Sequence, residues 1–306
     1  MSVAISPEAV TQEVAGATTG GQNLGRAWLS YLGRNRQMIV GLSFLGVLAL
    51  FVILGSLLYN TGNFRPLSVP PGRPPGPGLP LGSDSQGRDL MAVMIRGIPL
   101  TLWIGLLAGA LGLLIGTTLA FAAAYYGGWL DAMVRTIVDV GLTVPGLLVL
   151  IIVAISIRSQ MTVEQIALVV AALAWLWPTR TIRSQVLTMR ERAYVQVARL
   201  SGMSGRKIIF LEMVPNLLPY LAASLVGAVS SAILAAIGLE ALGLGANDAP
   251  TIGMTIYWVI FYGALLQGMW WWFLPPIVVI VMLFMGLFGL SAGLDEIANP
   301  RLRKSV

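Results

Sequence analysis

Residues 98–125 read IPLTLWIGLLAGALGLLIGTTLAFAAAY, and no Asp, Glu, Lys or Arg interrupts them. A helix needs about 20 mainly apolar residues to cross the hydrocarbon core of a membrane. The whole chain of 306 residues is 57% hydrophobic and 10% charged, whereas a soluble domain carries roughly 25% charged residues. The sequence therefore predicts an all-α, polytopic membrane protein built around this run.

Further apolar segments lie on both sides of this run, and together they predict six transmembrane helices. The predicted spans are 38–58, 98–125, 137–157, 163–177 (a short one), 217–239 and 273–294. The apolar stretch 257–266 is too short to cross a membrane, so we expect a buried or re-entrant segment there. Residues 1–37 are mostly polar, which is not typical of a cleavable signal peptide, so the first span should stay in the protein.

The distribution of basic residues predicts the orientation. With the amino terminus inside, fourteen of the 19 Lys and Arg residues fall in inner segments, and basic residues mark the cytoplasmic side of membrane proteins. We therefore expect both termini in the cytoplasm of a multi-pass protein of the bacterial or archaeal plasma (inner) membrane. This bias also explains the net charge of +6, so we predict no nucleic-acid partner.

This topology divides the chain into regions. They are a cytoplasmic tail (1–37), a first transmembrane helix (38–58), a Pro-rich outer loop (59–97), a core transmembrane domain (98–294) with a cytoplasmic loop (179–216), and a second cytoplasmic tail (295–306). The outer loop contains PPGRPPGP at 70–77, which favours an extended, stiff backbone and predicts a spacer. Asp84 predicts a capped turn after it, and Asp131 predicts an ion pair with Arg135 one helical turn later.

Missing residue types exclude several kinds of chemistry. The chain has no Cys and no His, so we predict no catalytic site, no metal site and no enzyme activity of its own. The phosphate-binding pattern GxxxxGK[S/T] is also missing, so ATP must be hydrolysed elsewhere. Carboxylates are scarce within the predicted spans, which argues against a proton-driven secondary transporter.

The cytoplasmic loop contains RERAYVQVARLSGMSGRKIIF at 190–210. Ala193, Val197 and Leu200 recur at helical spacing between charged residues, which predicts an amphipathic helix in the loop between the fourth and fifth spans. Gly202 would permit a sharp turn after this helix. These residues alone leave two explanations open, a helix lying on the anionic inner leaflet and a helix docking on a protein.

The ordered set Ala198, Gly202 and Pro215 resembles the loop by which importer permeases of the ATP-binding-cassette superfamily dock on their ATPases. The family pattern is Glu-Ala-Ala, three residues, Gly, and Pro thirteen residues later. Gln196 and Val197 replace its first two residues here. The resemblance implies a coupling helix whose docking residues are Glu191, Tyr194, Gln196, Val197, Ala198, Gly202, Met203, Ser204, Arg206 and Pro215.

Other segments extend the resemblance over 28–303, to the second permease subunit of the dipeptide/oligopeptide-type importers. They are YLGRNR at 31–36, LGSDSQGRD at 81–89, YYGGWLD at 125–131, LGLG at 242–245 and NPRLR at 299–303. The resemblance implies import of short peptides by alternating access. It implies as partners a second homologous permease, two ATPases that bind ATP and Mg²⁺, an extracytoplasmic binding protein and the lipid bilayer, with no cofactor bound by this chain.

Small or hydroxyl-bearing residues within the spans are candidates for the translocation path. We select Thr143, Ser224, Ser230, Ser231 and the run Trp270, Trp271 and Trp272. Close helix packing is the competing explanation for the hydroxyl residues. The Trp run is typical of an interfacial aromatic belt, with an aromatic platform for a sugar ring as the alternative. Short oligosaccharides are therefore the second candidate cargo, and a secondary transporter or channel is the alternative of another class.

Overall fold

The structure, a computed structural model, describes residues 35–157 and 160–298. These residues form helices without any β-strand, which confirms the all-α prediction for this part of the chain. The helices are α1 (Arg36–Leu58), α2 (Leu90–Tyr126), α3 (Gly128–Thr143), α4 (Gly146–Ser156), α5 (Val163–Ala174), α6 (Leu176–Arg190), α7 (Ala193–Leu200), α8 (Gly205–Lys207), α9 (Val214–Ala241), α10 (Ile252–Phe261) and α11 (Trp270–Ala298). Most of both predicted tails lies outside the described residues.

Four helical segments of the described chain are long and apolar enough to cross a membrane. They are Arg36–Leu58, Leu90–Tyr126, Gly205–Ala241 and Trp270–Glu296. Two bent pairs, α3 with α4 and α5 with α6, raise the number to six if each pair counts as one span. The helix α10 is apolar but too short to span. It contains the first half of the segment 257–266 that we expected to be buried or re-entrant. Val259 and Ala264 are buried, but four apolar residues of this segment are exposed within the chain, Ile260, Phe261, Leu265 and Leu266.

The predicted third span, 137–157, is not one continuous helix. Helix α3 ends at Thr143, and the axis turns by 88° into α4. The cause is Pro145, because the residue before a proline is pushed from the helical into the extended region. Val144 accordingly has φ −81° and ψ 131°.

The predicted fourth span, 163–177, and the predicted loop, 179–216, also have different bounds. Helix α5 ends at Ala174, and a 41° bend leads into α6, which continues to Arg190. The first residues of the predicted loop, up to Arg190, therefore belong to α6, and the non-helical connection to α7 begins only at Glu191. On the other side of α7, Gly205–Ala241 forms one helical segment, longer than the predicted span 217–239.

Pro215 lies inside that long segment, at the start of α9. A proline within an α-helix removes one backbone hydrogen bond and its ring clashes with the carbonyl four residues earlier. The six residues directly before α9, Ile208–Met213, form a π-helical turn, which is wider than an α-helical turn. This turn accommodates the proline without ending the helix.

The loop that we predicted as outer, 59–97, is shorter than predicted, because α2 begins at Leu90 and not at Ile98. Asp89 caps α2 by accepting the Met91 amide at 2.9 Å, and it also accepts the hydroxyl of Tyr59 at 2.6 Å. Burial raises the pKa of Asp89, while the hydrogen bonds from Tyr59 and from amides in the first turn of α2 oppose that rise.

The loop is a folded cap and not the extended spacer that we predicted. Ser83 donates its hydroxyl to the Pro70 carbonyl at 2.6 Å and accepts the Arg73 amide at 2.9 Å. Asp84 caps the next turn, as expected, by accepting the Arg88 amide at 2.8 Å, and it forms a buried ion pair with the same residue at 2.6 Å. These contacts fold the Pro-rich run back on itself.

Close helix contacts pass through glycines. A Cβ added at Gly109 of α2 would lie 2.7 Å from the backbone nitrogen of Val229 on α9. A Cβ at Gly41 of α1 would lie 2.7 Å from the backbone nitrogen of Leu290 on α11. Small residues allow such backbone approach between membrane helices, so α2 packs on α9, and α1 packs on α11.

Candidate functional site: the loop helix and the inter-helix cavity

The predicted loop helix is present as α7, and it has two apolar faces. Val195 and Ala198 are buried against a cluster formed with α2, α6 and the start of α9. On the other side Tyr194, Val197 and Leu200 are exposed, Val197 by 60% and Leu200 by 88%. Ala198, which we predicted to dock on a partner, therefore packs inward, and Tyr194, Val197 and Leu200 are the large apolar residues that α7 exposes.

Gly202 ends α7 in the manner expected from the sequence. Its φ of +76° lies in the left-handed region, which glycine adopts without strain. The Gly202 amide donates to the Arg199 carbonyl at 3.0 Å, and the Met203 amide donates to the Ala198 carbonyl at 3.1 Å. These two bonds form a Schellman motif, and they fix the direction in which the chain leaves α7.

Three contacts attach α7 and its flanking residues to the end of α2. Arg190 donates from Nη1 to the Ala124 carbonyl at 3.0 Å. The guanidinium of Arg199 lies 5.3 Å from the centre of the Tyr125 ring, within the range of a cation–π interaction. A Cβ at Gly205 would lie 2.8 Å from Cε1 of the same tyrosine. The loop helix and the end of α2 are therefore held as one unit.

The other predicted docking residues surround α7 unevenly. Glu191 is exposed and contacts Arg190 at 3.2 Å, while Gln196 donates to the Arg190 carbonyl at 3.4 Å. Met203 is partly buried in the same cluster as Ala198. Desolvation also raises the pKa of Tyr194 above its usual value. Ser204, Arg206 and Pro215 are exposed.

An ion pair connects α3 to α6 just before the loop. Arg183 donates from Nε to Oδ1 of Asp131 and from Nη2 to Oδ2, each at 2.6 Å. The predicted pairing of Asp131 with Arg135 is wrong, because Arg135 pairs with Asp139 at 3.5 Å on an exposed face. Sequence spacing favoured the near arginine and contained no signal for a partner 52 residues away.

We expect Asp131→Asn to destabilise the α3–α6 contact. Removing a bidentate, charge-assisted pair that is about three-quarters buried should cost about 1 to 2 kcal/mol. Asp139→Asn breaks an exposed pair of the same residue types and should cost below about 0.5 kcal/mol. Thermal unfolding of the two purified variants in one detergent measures the difference, and equal shifts would contradict it.

A cavity of about 460 Å³ lies between α3, α4, α5, α6, α9 and α11, within the size range of ligand pockets. Two predicted path residues, Ser224 and Ser231, line it. Sequence reasoning missed four other polar lining residues, Thr181, Tyr220, Ser291 and Asp295. Thr181 had been placed in the loop and Asp295 in the tail, because the apolar runs end before them.

The remaining predicted path residues lie elsewhere. Ser230 faces a groove between α9 and α11 that shares Gly227 with the cavity. Thr143 bonds to the carbonyls of Asp139 and Val140 within its own helix. Neither residue is among those that line the cavity.

The Trp run is mainly a packing element. Trp272 is 0% exposed, and Trp271 donates from Nε1 to the Ser83 carbonyl of the outer-loop cap at 3.2 Å. Only Trp270 is largely exposed, so it alone is placed as an interfacial belt residue would be. The structure does not place Trp272 on a surface that cargo reaches.

The described residues contain no group of His, Cys, Asp and Glu that could hold a metal ion. The site therefore consists of an anchored helix with an exposed apolar face, and a cavity with hydroxyl groups. Helix α6 joins the two, because Trp177, Pro178 and Thr181 line the cavity while Arg190 holds α2 beside α7.

Known proteins resemble this chain over most of its length. It is 32% identical over 218 residues to the oligopeptide transport system permease protein OppC of Mycobacterium tuberculosis, covering 69% of this chain and 73% of the relative. It is 32% identical over 219 residues to the dipeptide transport system permease protein DppC of Alkalihalophilus pseudofirmus, covering 71% and 70%. The corresponding protein of Haemophilus influenzae is 29% identical over 230 residues, covering 73% and 77%.

A family profile matches residues 112–304, which include α3 to α11, the anchored loop helix and the cavity. Combined with the relatives and the apolar helices, this match shows that the chain belongs to the family of binding-protein-dependent transport system inner membrane components.

Proposed function

We propose that this chain is the permease subunit of an ATP-driven importer and that α7 is the helix that docks on an ATPase. The observation that carries the proposal is the exposed apolar face of Tyr194, Val197 and Leu200, on a helix fixed to α2. Apolar surface in water is unfavourable until a partner covers it. A fixed attachment lets the helix pass on the movement of that partner.

The alternative of a helix lying on the inner leaflet is less well supported. Such a helix directs its basic side chains to anionic lipid headgroups. Here Arg190 and Arg199 contact the carbonyl of Ala124 and the ring of Tyr125 instead. These two arginines thus stabilise the loop, and the apolar face is left for a protein partner.

The topology follows from this assignment. With α7 on the cytoplasmic side, both termini are cytoplasmic, and the cap formed by residues 59–89 lies on the outer side of a bacterial or archaeal plasma membrane. Each bent pair then counts as one span, which gives six. The excess of Lys and Arg in the inner segments supports the same orientation.

In the proposed transport cycle, α6 transmits the movement of α7 to the cavity wall. ATP-driven closure of two ATPases, which bind ATP and Mg²⁺, would pull α7 of this chain and its counterpart on a second homologous permease together. That displacement passes along α6 to Thr181 and Pro178 in the cavity wall and, through the Asp131–Arg183 pair, to α3. The path opens outward for cargo from a binding protein, and hydrolysis resets it. This chain binds no cofactor in this cycle.

Short peptides are the cargo that we propose. The relatives are named as dipeptide and oligopeptide permeases, and the cavity offers hydroxyl groups within a largely apolar wall. Short oligosaccharides are a weaker candidate, because the aromatic platform that suggested them is largely internal, with Trp272 buried and Trp271 bonded to Ser83. A channel or secondary transporter would not need the anchored α7.

The test is ATP hydrolysis by the complex assembled in lipid with its neighbouring permease, ATPases and binding protein. We expect a mixture of di- to pentapeptides to stimulate hydrolysis several-fold, and a mixture of α- and β-linked oligosaccharides to leave it unchanged. Stimulation by the sugars alone would show that the cargo is an oligosaccharide and not a peptide. If the well-folded chain associates with no ATPase, the proposal of an ATP-driven importer is refuted.

A further inference from the structure

One residue of the outer cap has an unusual backbone. Leu67 has φ +61°, and within the described residues it is the only non-glycine residue with positive φ. Branched side chains are strained in this region, whereas Gly and Asn adopt it readily. Strained residues of this kind persist where the surrounding structure holds them, and they concentrate at functional sites.

The cap holds Leu67 in place through its backbone. The Leu67 amide donates to the Gln86 carbonyl at 2.9 Å, and the Val69 amide donates to the Gly87 carbonyl at 3.0 Å. A Cβ at Gly87 would lie 2.5 Å from the Val69 carbonyl oxygen and 3.3 Å from the Leu67 Cα. The backbone at Leu67–Val69 therefore lies in close contact with the backbone at Gln86–Gly87. This fixed contact holds Leu67 in its strained conformation.

The Leu67 side chain is not buried by the rest of this chain. It is 87% exposed, so a leucine here contributes little to the packing of the cap. An asparagine or glycine would relieve the strain without losing a buried contact. An exposed leucine on a fixed backbone is suited to enter an apolar pocket of a partner, because a backbone that is fixed in advance loses little conformational freedom on binding.

A cavity adjoins Leu67, and its wall carries both signs of charge, from Arg65 and from the exposed Asp248. Its volume is about 380 Å³, and Phe64, Arg65 and Pro66 line one wall. The guanidinium groups of Arg65 and Arg96 lie 5.9 Å and 6.0 Å from the centre of the Phe64 ring. Arg65 is exposed, so the chain directly before Leu67 presents a positive charge beside an apolar ring.

The exposed charges of the cap itself are all positive, whereas Asp248 of the adjoining cavity wall lies outside this stretch. Between residues 59 and 97 the exposed ionised side chains are Arg65, Arg73 and Arg96. The two carboxylates of this stretch, Asp84 and Asp89, are both buried and bonded within the cap. A partner that complements this surface carries acidic side chains around an apolar pocket, since opposite charges steer association.

We infer that Leu67 and the adjoining Arg65 form a contact by which the extracytoplasmic binding protein docks on this chain. Leu67 enters an apolar pocket of the binding protein, and Arg65 faces a carboxylate at the rim of that pocket. The inference rests on the proposed function, because that proposal places the cap on the outer side and supplies the binding protein.

The experiment measures the affinity of the binding protein for the complete complex in nanodiscs of uncharged lipid. Leu67→Asn relieves the backbone strain and removes the apolar contact. We expect it to raise the Kd about tenfold while the unfolding temperature of the complex stays the same or rises. A residue with only a structural role would alter the unfolding temperature and leave the Kd unchanged, and that result would overturn the inference.

A charge variant gives an independent readout. Arg65→Ala should slow association and weaken its dependence on salt. Arg36→Ala makes the same change at the opposite end of α1 and should alter neither. Equal rates for both variants would overturn the role of Arg65. If Leu67→Asn instead weakens binding of the chain to anionic vesicles and spares the binding protein, the surface contacts lipid and the inference fails.

The wild-type complex separates this inference from the proposed function. Binding of the binding protein to wild type, with no change in the Leu67 and Arg65 variants, refutes the docking contact alone. If the wild-type complex binds no candidate binding protein and shows no cargo-stimulated hydrolysis, both the proposed function and the docking contact are refuted.

Discussion

Replacing Val197 and Leu200 together by aspartate should abolish association with the ATPases while the chain still folds and inserts. Both side chains are largely exposed, so the substitutions cost little within the chain. In the complex they would remove two apolar contacts, each contributing roughly 1.5 to 3 kcal/mol if fully covered. They would also bury charges without partners. Each 1.4 kcal/mol lost weakens binding about tenfold.

The measurement is co-purification of the ATPases with the variant chain, followed by hydrolysis with and without cargo. Gln185→Asp is the matched control, because Gln185 is exposed on α6 close to the loop and not part of the α7 face. It should leave association intact. Val197→Leu with Leu200→Met keeps the face apolar and should restore binding. ATPases that remain bound to the double aspartate variant would show that α7 is not the docking helix.

The positions of the long helices could be predicted from the sequence because they depend on a local property. Uncharged apolar runs must be covered by lipid or protein, so 98–125 predicted most of α2, although not its first turns. Arg96 interrupts the apolar pattern there, and only the cap at Asp89 marks the start of the helix. Gly202 was likewise predictable, because a helix end in the left-handed region needs glycine.

The bends and contacts between distant elements were not predictable in this way. Pro145 was visible in the sequence, but hydropathy does not distinguish a kink within one span from an 88° turn between two helices. Ala198 was selected through the family pattern, yet its inward orientation depends on how the end of α2 packs against α7. Trp272 carries the aromatic signal of a membrane interface, while the fold of the Pro-rich cap decides that it is buried.

The cavity, too, depends on tertiary packing, and its role can be tested at one glycine. Gly227 of α9 lines both the cavity and the neighbouring groove, and an added Cβ there would meet no atom within 4 Å. The Cβ of a larger residue should therefore meet no clash, and the rest of its side chain should extend into space that cargo needs. A non-β-branched side chain is also no worse than glycine in a helix. We expect Gly227→Phe to reduce uptake of cargo at least tenfold, which corresponds to about 1.4 kcal/mol.

Gly46 of α1 provides the matched control, because a Cβ at Gly46 also meets nothing within 4 Å and this residue is exposed away from the cavity. Gly46→Phe should transport as wild type does. The two variants are compared by uptake of a labelled peptide into proteoliposomes, with ATPase association measured on the same samples. Both should retain the ATPases, since α7 is untouched.

A series of substitutions at position 227, from Ala through Leu to Phe, should reduce uptake in proportion to side-chain size, because the volume of the side chain blocks a path. At a site needed only for packing, uptake would instead fall as soon as the first substitution disturbs the contacts. Undiminished uptake by Gly227→Phe would place the translocation path outside this cavity.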